Sequence, residues 1–307
     1  MRLPTMLALT LIAPPVMAAP PQIITDMPVT ASLVQQVLGD LGEVSVILDQ
    51  GANPHDFQLR PSQARSLQDA GLLVWMGPEL TPWLSLAAAA RDSKAEIRLL
   101  HQPDTMLRNF PNNEGEDNHE HSDHDHEHSH EGVDPHAWLD PDNAALWLGL
   151  IAEHLAGIDP ENAATYAANS TAAQTGLMAQ DQALTELLSP LADQPFVIFH
   201  DAYGYFTDHY GLQPAIAISS GDATPPSAAR LRELQTRVTN SGVRCIFPEA
   251  NQPRQPIDRL VEGSMIEIGG PLSPTGSNIS LGSGYYMALL NQTGQRIAAC
   301  LTSKINN

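Results

Sequence analysis

Short β-type runs alternate with helical ones along almost the whole chain, and this alternation limits the possible folds more than any composition figure. The first half reads Gln22 to Thr25 then Val29 to Leu41, Glu43 to Leu48 then Pro61 to Ala70, Leu72 to Met76 then Pro82 to Ala90, and Glu96 to Leu100. Strands separated by helices pair in parallel and are covered by those helices. Asp140 has N-cap chemistry and Pro141 suits a first helical position, so a further helix is expected from Pro141 to Ala156. Beyond Pro190 the alternation resumes with Phe196 to Phe199, Tyr203 to Tyr210, Ala215 to Ser219, Pro226 to Ser241, Val243 to Phe247, Pro256 to Glu262, Met265 to Ile268 and Gly284 to Leu301. The expected fold class is α/β, with two doubly wound lobes of mostly parallel sheet and a cleft between them, a common place for a small ligand.

Asp159-Pro160-Glu161 opens a stretch rich in Ala and Gln that reaches Leu188 with Gly176 as its only glycine. Read as one helix, it would run roughly 40 Å and join the lobes rigidly. A helical hairpin broken near Gly176 is the competing reading, because one glycine costs a helix only ~1 kcal/mol. The domain layout expected is a signal peptide over 1–19, an N-terminal lobe over 20–158, a linking helix over 159–189 and a C-terminal lobe over 190–307.

Residues 1–19 carry the marks of export: Arg2 is followed by the mostly apolar Met6 to Val16 and by small residues suited to cleavage near Ala18 or Ala19. That apolar run is too short, and too broken by Pro14 and Pro15, to span a bilayer. A free periplasmic protein, not inserted in a membrane, is expected. Cys245 and Cys300 are the only cysteines, and in such a compartment they are expected to pair. A cysteine metal pair and two buried thiols are the alternatives. The formal charge of −20 argues against nucleic acid as a partner, and Asn112 to Gly132 alone supplies eight acidic residues and no Lys or Arg.

Within that acidic segment lie His119, His121, His124, His126, His128 and His130, six imidazoles with no aliphatic or aromatic neighbour to bury. Imidazole donors suit zinc, copper and nickel, whereas a purely carboxylate run would suit calcium or magnesium. The bland alternative is a solvated, disordered loop. Three more histidines sit in turn-like or strand-end contexts: His55 in Asn53-Pro54-His55-Asp56-Phe57, His136 in Asp134-Pro135-His136-Ala137-Trp138, and His200 in Phe199-His200-Asp201-Ala202-Tyr203. His55 and His200 fall after predicted strands, where ligands gather in open α/β sheets. Any one alone is weak, but together they make a plausible three-nitrogen site of tetrahedral type, the environment of zinc. His101 at a strand end, His154 on a packed helix and His209, read as exposed, are not expected to be ligands.

Asn53-Pro54-His55-Asp56-Phe57 with Arg60-Pro61-Ser62, Leu73 to Glu79, His136 to Leu139, Phe199 to Phe206, and Pro274-Thr275-Gly276 closely resemble the ZnuA family of zinc-uptake solute-binding proteins. The likeness runs over essentially the whole chain after residue 19. It implies two α/β lobes joined by a long helix, with zinc held in the cleft between them. By motif it implies His55, His136 and His200 as ligands, the His-rich loop at Asn112 to Gly132, and a disulfide between Cys245 and Cys300. Ser273 departs from the pattern of many metal-binding relatives, which carry an Asp before the Pro-x-Gly turn, so a carboxylate ligand is missing there. Water is the first choice for the fourth position. Glu249 is the protein alternative, or else an acceptor that orients a ligand imidazole, and Asp201 is read in the orienting role.

The function expected is high-affinity capture of Zn2+ as cargo and its delivery to an inner-membrane ABC permease, with the loop histidines as a weaker, multi-ion antenna. Expected partners are the permease's membrane subunit and a periplasmic zinc chaperone, for a monomeric carrier with no enzyme activity. An open three-His zinc is also an enzyme pattern, with Glu249 as general base, but no H-E-x-x-H motif accompanies it. A metal buffer without a transporter, and a manganese or iron carrier, are the remaining alternatives.

Overall fold

The computed structural model describes residues 21–92, 95–110, 132–219, 221, 223–224 and 226–303. The expected export signal and the six histidines between His119 and His130 lie outside them.

The first lobe is built from β1 (Ile23–Thr25), α1 (Pro28–Leu38), β2 (Val44–Val46), α2 (Pro61–Asp69), β3 (Leu72–Trp75), α3 (Ser85–Ala89) and β4 (Glu96–Arg98). Its strands lie in the order β2-β1-β3-β4, all parallel, with Ile23 paired to Val44 on one side and to Leu72 on the other. The chain then runs through α4 (Pro141–Ile158) and α5 (Ala163–Leu188) into β5 (Phe196–His200), α6 (Gly204–His209), β6 (Ile216–Ser219), α7 (Ala228–Asn240), β7 (Cys245–Phe247), α8 (Gln255–Val261), β8 (Glu267–Ile268) and α9 (Tyr285–Leu301). The second sheet has the order β6-β5-β7-β8, again all parallel. Two halves with no visible sequence repeat thus share one winding.

Alternation along each strand divides the apolar side chains between the two faces of its sheet. In the first lobe Ile23, Leu72 and Val74 face the main core, while Ile24, Leu73 and Trp75 face a smaller outer cluster. In the second lobe Phe196, Ile198 and Phe247 face the same main core, while Val197, Phe199 and Ile246 face the other outer cluster. The main core is therefore continuous from one lobe to the other.

Helices α1, α4, α5 and α9 fill the space between the inner faces of the sheets. Helix α5 is unbroken through Gly176 and, at 26 residues, is about 39 Å long. Its buried residues Tyr166, Ser170, Leu177, Leu184 and Leu188 form one narrow stripe, as expected of a helix that touches neighbours along its whole length. It packs on α1 and α4 of the first half and on α9 of the second. At Gly294 of α9 a Cβ would come within 2.6 Å of Leu184 Cδ2, so the glycine permits that close approach. Asp140 caps α4 by accepting from Asp142 N, with Pro141 in the first turn.

Cys245 and Cys300 form a disulfide that ties β7 to α9, with Cα atoms 6.1 Å apart. Among the described residues no helix is long and apolar enough to cross a membrane.

His209 corrects its reading as an exposed residue. Its Nδ1 lies 3.1 Å from Asp140 Oδ1 and its Nε2 2.9 Å from Asp181 Oδ1, and only 14% of its side chain is exposed. Burial alone would lower its pKa, but the hydrogen bonds that its ring donates to Asp140 and Asp181 outweigh burial and push it up to about 9. The resulting imidazolium links α6 to both α4 and α5.

Candidate metal centre

Both sheets point the carboxyl ends of their strands at the cleft, where a cavity of about 270 Å³ is lined by His55, His136, His200, Glu249 and Ser273 among others. His200 is the last residue of β5, a central strand. His136 precedes the short turn Ala137–Leu139 that leads into α4. His55 lies in the loop between β2 and α2, further from its strand than the sequence suggests, because β2 ends at Val46.

The same local device sets the backbone at two of these histidines. Asn53 Oδ1 accepts from His55 N at 3.0 Å, and Asp134 Oδ1 accepts from His136 N at 3.0 Å. Each is a turn closed by the side chain of an Asx residue two positions upstream, with proline between fixing φ. Trp83 Nε1 donates to Pro54 O at 2.7 Å and steadies the first turn. Trp138 Nε1 donates across the cleft to Pro274 O at 2.8 Å and steadies the second.

One ring nitrogen from each of His55, His136 and His200 lies within 4.8 Å of the others, close enough for the three to hold a metal ion. His136 and His200 are almost fully buried, and their Nε2 atoms are only 3.4 Å apart. Each ring's other nitrogen is taken: His136 Nδ1 donates to Asp134 Oδ1 at 2.7 Å, and His200 Nδ1 donates to Glu249 Oε2 at 2.5 Å. When both rings are neutral with their hydrogens on Nδ1, the two Nε2 lone pairs face each other and can be shared by a cation between them. Two nitrogens bound tetrahedrally at the Zn–N distance would stand about 3.3 Å apart, close to the separation found. Burial acts to lower the pKa of His200, but the charge and hydrogen bond of Glu249 outweigh it and raise the pKa.

Glu249 is brought to the site by its parallel bridge to Leu272. Its carboxylate engages the far nitrogen of His200. Ser273 lines the cavity, and its hydroxyl accepts from Ser277 N at 3.0 Å. Asp201 follows His200 directly, and its pKa is raised by burial and by the nearby Asp134 carboxylate. The residue that the sequence reading missed is Asp134, which holds both the backbone and the ring of His136. The available signal was its repetition of the Asn53-Pro54-His55 pattern.

Comparison with known proteins agrees with this architecture. The family described as zinc-uptake complex component A, periplasmic, matches residues 23–300. The chain is 48% identical to the high-affinity zinc uptake system protein ZnuA of Paracoccus denitrificans, over 96% of each chain. Its backbone resembles a crystal structure of ZnuA with a TM-score of 0.75 at 24% identity, covering 92% of this chain and 99% of that one. It also resembles the periplasmic zinc binding protein TroA of Treponema pallidum with a TM-score of 0.78 at 19% identity, covering 92% and 99%. With a family match from the first strand to the last helix and a full-length relative at this identity, the chain belongs to the ZnuA family of periplasmic zinc-uptake components.

Proposed function

We propose that this protein captures Zn2+ in the periplasm with high affinity and delivers it to the membrane subunit of an ABC permease. The ligands are the Nε2 atoms of His136 and His200 together with the His55 ring, and water fills the fourth position. The observation that carries this reading is the 3.4 Å approach of two buried imidazole nitrogens whose partner nitrogens are already hydrogen-bonded to carboxylates. Three neutral nitrogens suit zinc, whereas manganese would call for several oxygen donors. Glu249 and Asp134 orient their imidazoles and keep Nε2 available. Zinc is cargo here, and the chain is a carrier with no enzyme role, acting as a monomer. His119, His121, His124, His126, His128 and His130 serve as a weaker antenna, and a periplasmic zinc chaperone is a second partner for loading. The family membership supports the permease as partner.

Competitive titration against a strong zinc chelator tests the reading, run on the protein lacking residues 1–19 and on a form also lacking 112–132. One tight zinc is expected in both forms, with manganese unable to displace it. Alanine at His55, His136 or His200 should each weaken binding greatly. A deletion form with no tight site, or three alanine variants with the parent's affinity, would refute the assignment.

A further inference from the structure

Asp134 is wholly buried, and a carboxylate in that position needs a cation. Besides the His136 ring, the group that meets it is Arg108, whose Nη1 lies 3.1 Å from Asp134 Oδ2. The two oxygens of Asp134 are thus divided: Oδ1 takes the backbone and ring of His136, and Oδ2 takes Arg108. The same guanidinium reaches across the cleft, with Nε 3.1 Å from Asp208 Oδ2 on α6 and its plane over the Tyr205 ring, 5.8 Å from the centroid. Tyr205 adds a second crossing, because its hydroxyl accepts from Arg108 N at 2.9 Å and donates to Asp134 O at 2.9 Å. Gly204 makes room for this: a Cβ there would fall 1.1 Å from Arg108 Nη1.

We propose that Arg108 is a positioning residue for the zinc site, a clasp that locks the His136 ligand to the opposite lobe and thereby slows the escape of bound zinc. The inference rests on the zinc reading given above. A guanidinium suits the task because its delocalised charge meets two carboxylates at once, hydrogen-bonding Asp134 and ion-pairing with Asp208, which an ammonium cannot do in the same geometry. Arg108 and Asp134 also pair through their backbones, with Asp134 N donating to Arg108 O at 2.9 Å, so the clasp and the ligand's anchor move as one piece. Loss of the clasp frees His136 to swing with its turn, and this acts on departure of the metal more than on its arrival.

The test measures zinc dissociation by rapid mixing of the zinc-loaded protein with excess chelator, and association separately, for the parent and for Arg108→Met, Arg108→Lys, Asp208→Asn and Gly204→Ala. The Met variant should release zinc about tenfold faster or more, with an association rate within about threefold of the parent. Lys should restore part of the loss, and Asp208→Asn should give a smaller acceleration than Met. Gly204→Ala, which keeps the arginine but takes its place, should behave like Met. A folded Arg108→Met protein releasing zinc within about twofold of the parent would overturn the proposal. So would a loss confined to association. If Arg108→Met does not fold, parent-like release in both Asp208→Asn and Gly204→Ala overturns it equally. A purely structural arginine would lower the melting temperature of the zinc-free variants and leave release unchanged. A parent without tight zinc defeats the zinc reading itself, and that outcome is seen in the parent alone.

Discussion

Replacing Glu249 with Gln keeps the side chain's size and removes its charge from the far side of His200. The carboxylate lies 2.5 Å from His200 Nδ1, and the two side chains are only 11% and 3% exposed, so solvent screens the contact weakly. A hydrogen bond to a charged group of this kind is worth about 1.5–3 kcal/mol, which corresponds to a zinc Kd weaker by about ten- to a hundredfold. Competition with a chelator at about pH 8, where few ordinary imidazoles are protonated, would measure it. The decisive version is a double-mutant cycle. If Glu249 acts through His200, Glu249→Gln should cost almost nothing further in a His200→Ala background. A loss of equal size in both backgrounds would make Glu249 a ligand in its own right. A parent-like Kd in the single variant would refute the orienting role.

Zinc affinity should fall steadily as the pH drops from about 7 to about 5, since the ligand rings must be neutral; a Kd that stays flat by chelator competition would exclude imidazole donors. His209 has its folded pKa raised to about 9, against about 6.5 unfolded. The stability it confers is complete below about pH 6.5 and is lost as the pH rises through about 9. Urea denaturation should therefore show the parent losing on the order of 3 kcal/mol across that window, and His209→Gln should flatten the loss; an unchanged profile in the variant would rule out a stabilising His209 imidazolium. Reducing the Cys245–Cys300 bond, which closes a separation of 55 residues, should cost about 4 kcal/mol in the chain-entropy model. Equal denaturation midpoints with and without reductant would contradict it.

The helices were legible because their starts are punctuated: Pro28, Pro61 and Pro141 each stand in a first turn. The strands were legible as apolar runs, although β2 proved shorter than Glu43 to Leu48 and ends at Val46, with Ile47 and Leu48 buried just beyond it. Two of the three candidate ligands carry the same local signature, an Asx residue and a proline ahead of the histidine. His200 announces itself only as the polar end of a buried strand. What the sequence hid depends on residues distant along the chain. His209 looked exposed because Asp140 and Asp181 belong to other helices, and nothing local marks Arg108 because Asp134 and Asp208 meet it only after both lobes are wound.

A core shared by both lobes leaves no seam along which the molecule could open. Prising the sheets apart would bring Leu184, Leu188, Phe196 and Phe247 into water, as in partial unfolding. On the zinc reading, loading and unloading are expected at the rim of the cleft, at the turns that carry His55 and His136 and the contacts that pin them. Little apolar surface changes its hydration when the metal arrives, so zinc binding should have a heat-capacity change near zero by calorimetry. The expected consequence is a frame little changed by each delivery, with the binding free energy of zinc going to holding the ion instead of closing the protein around it.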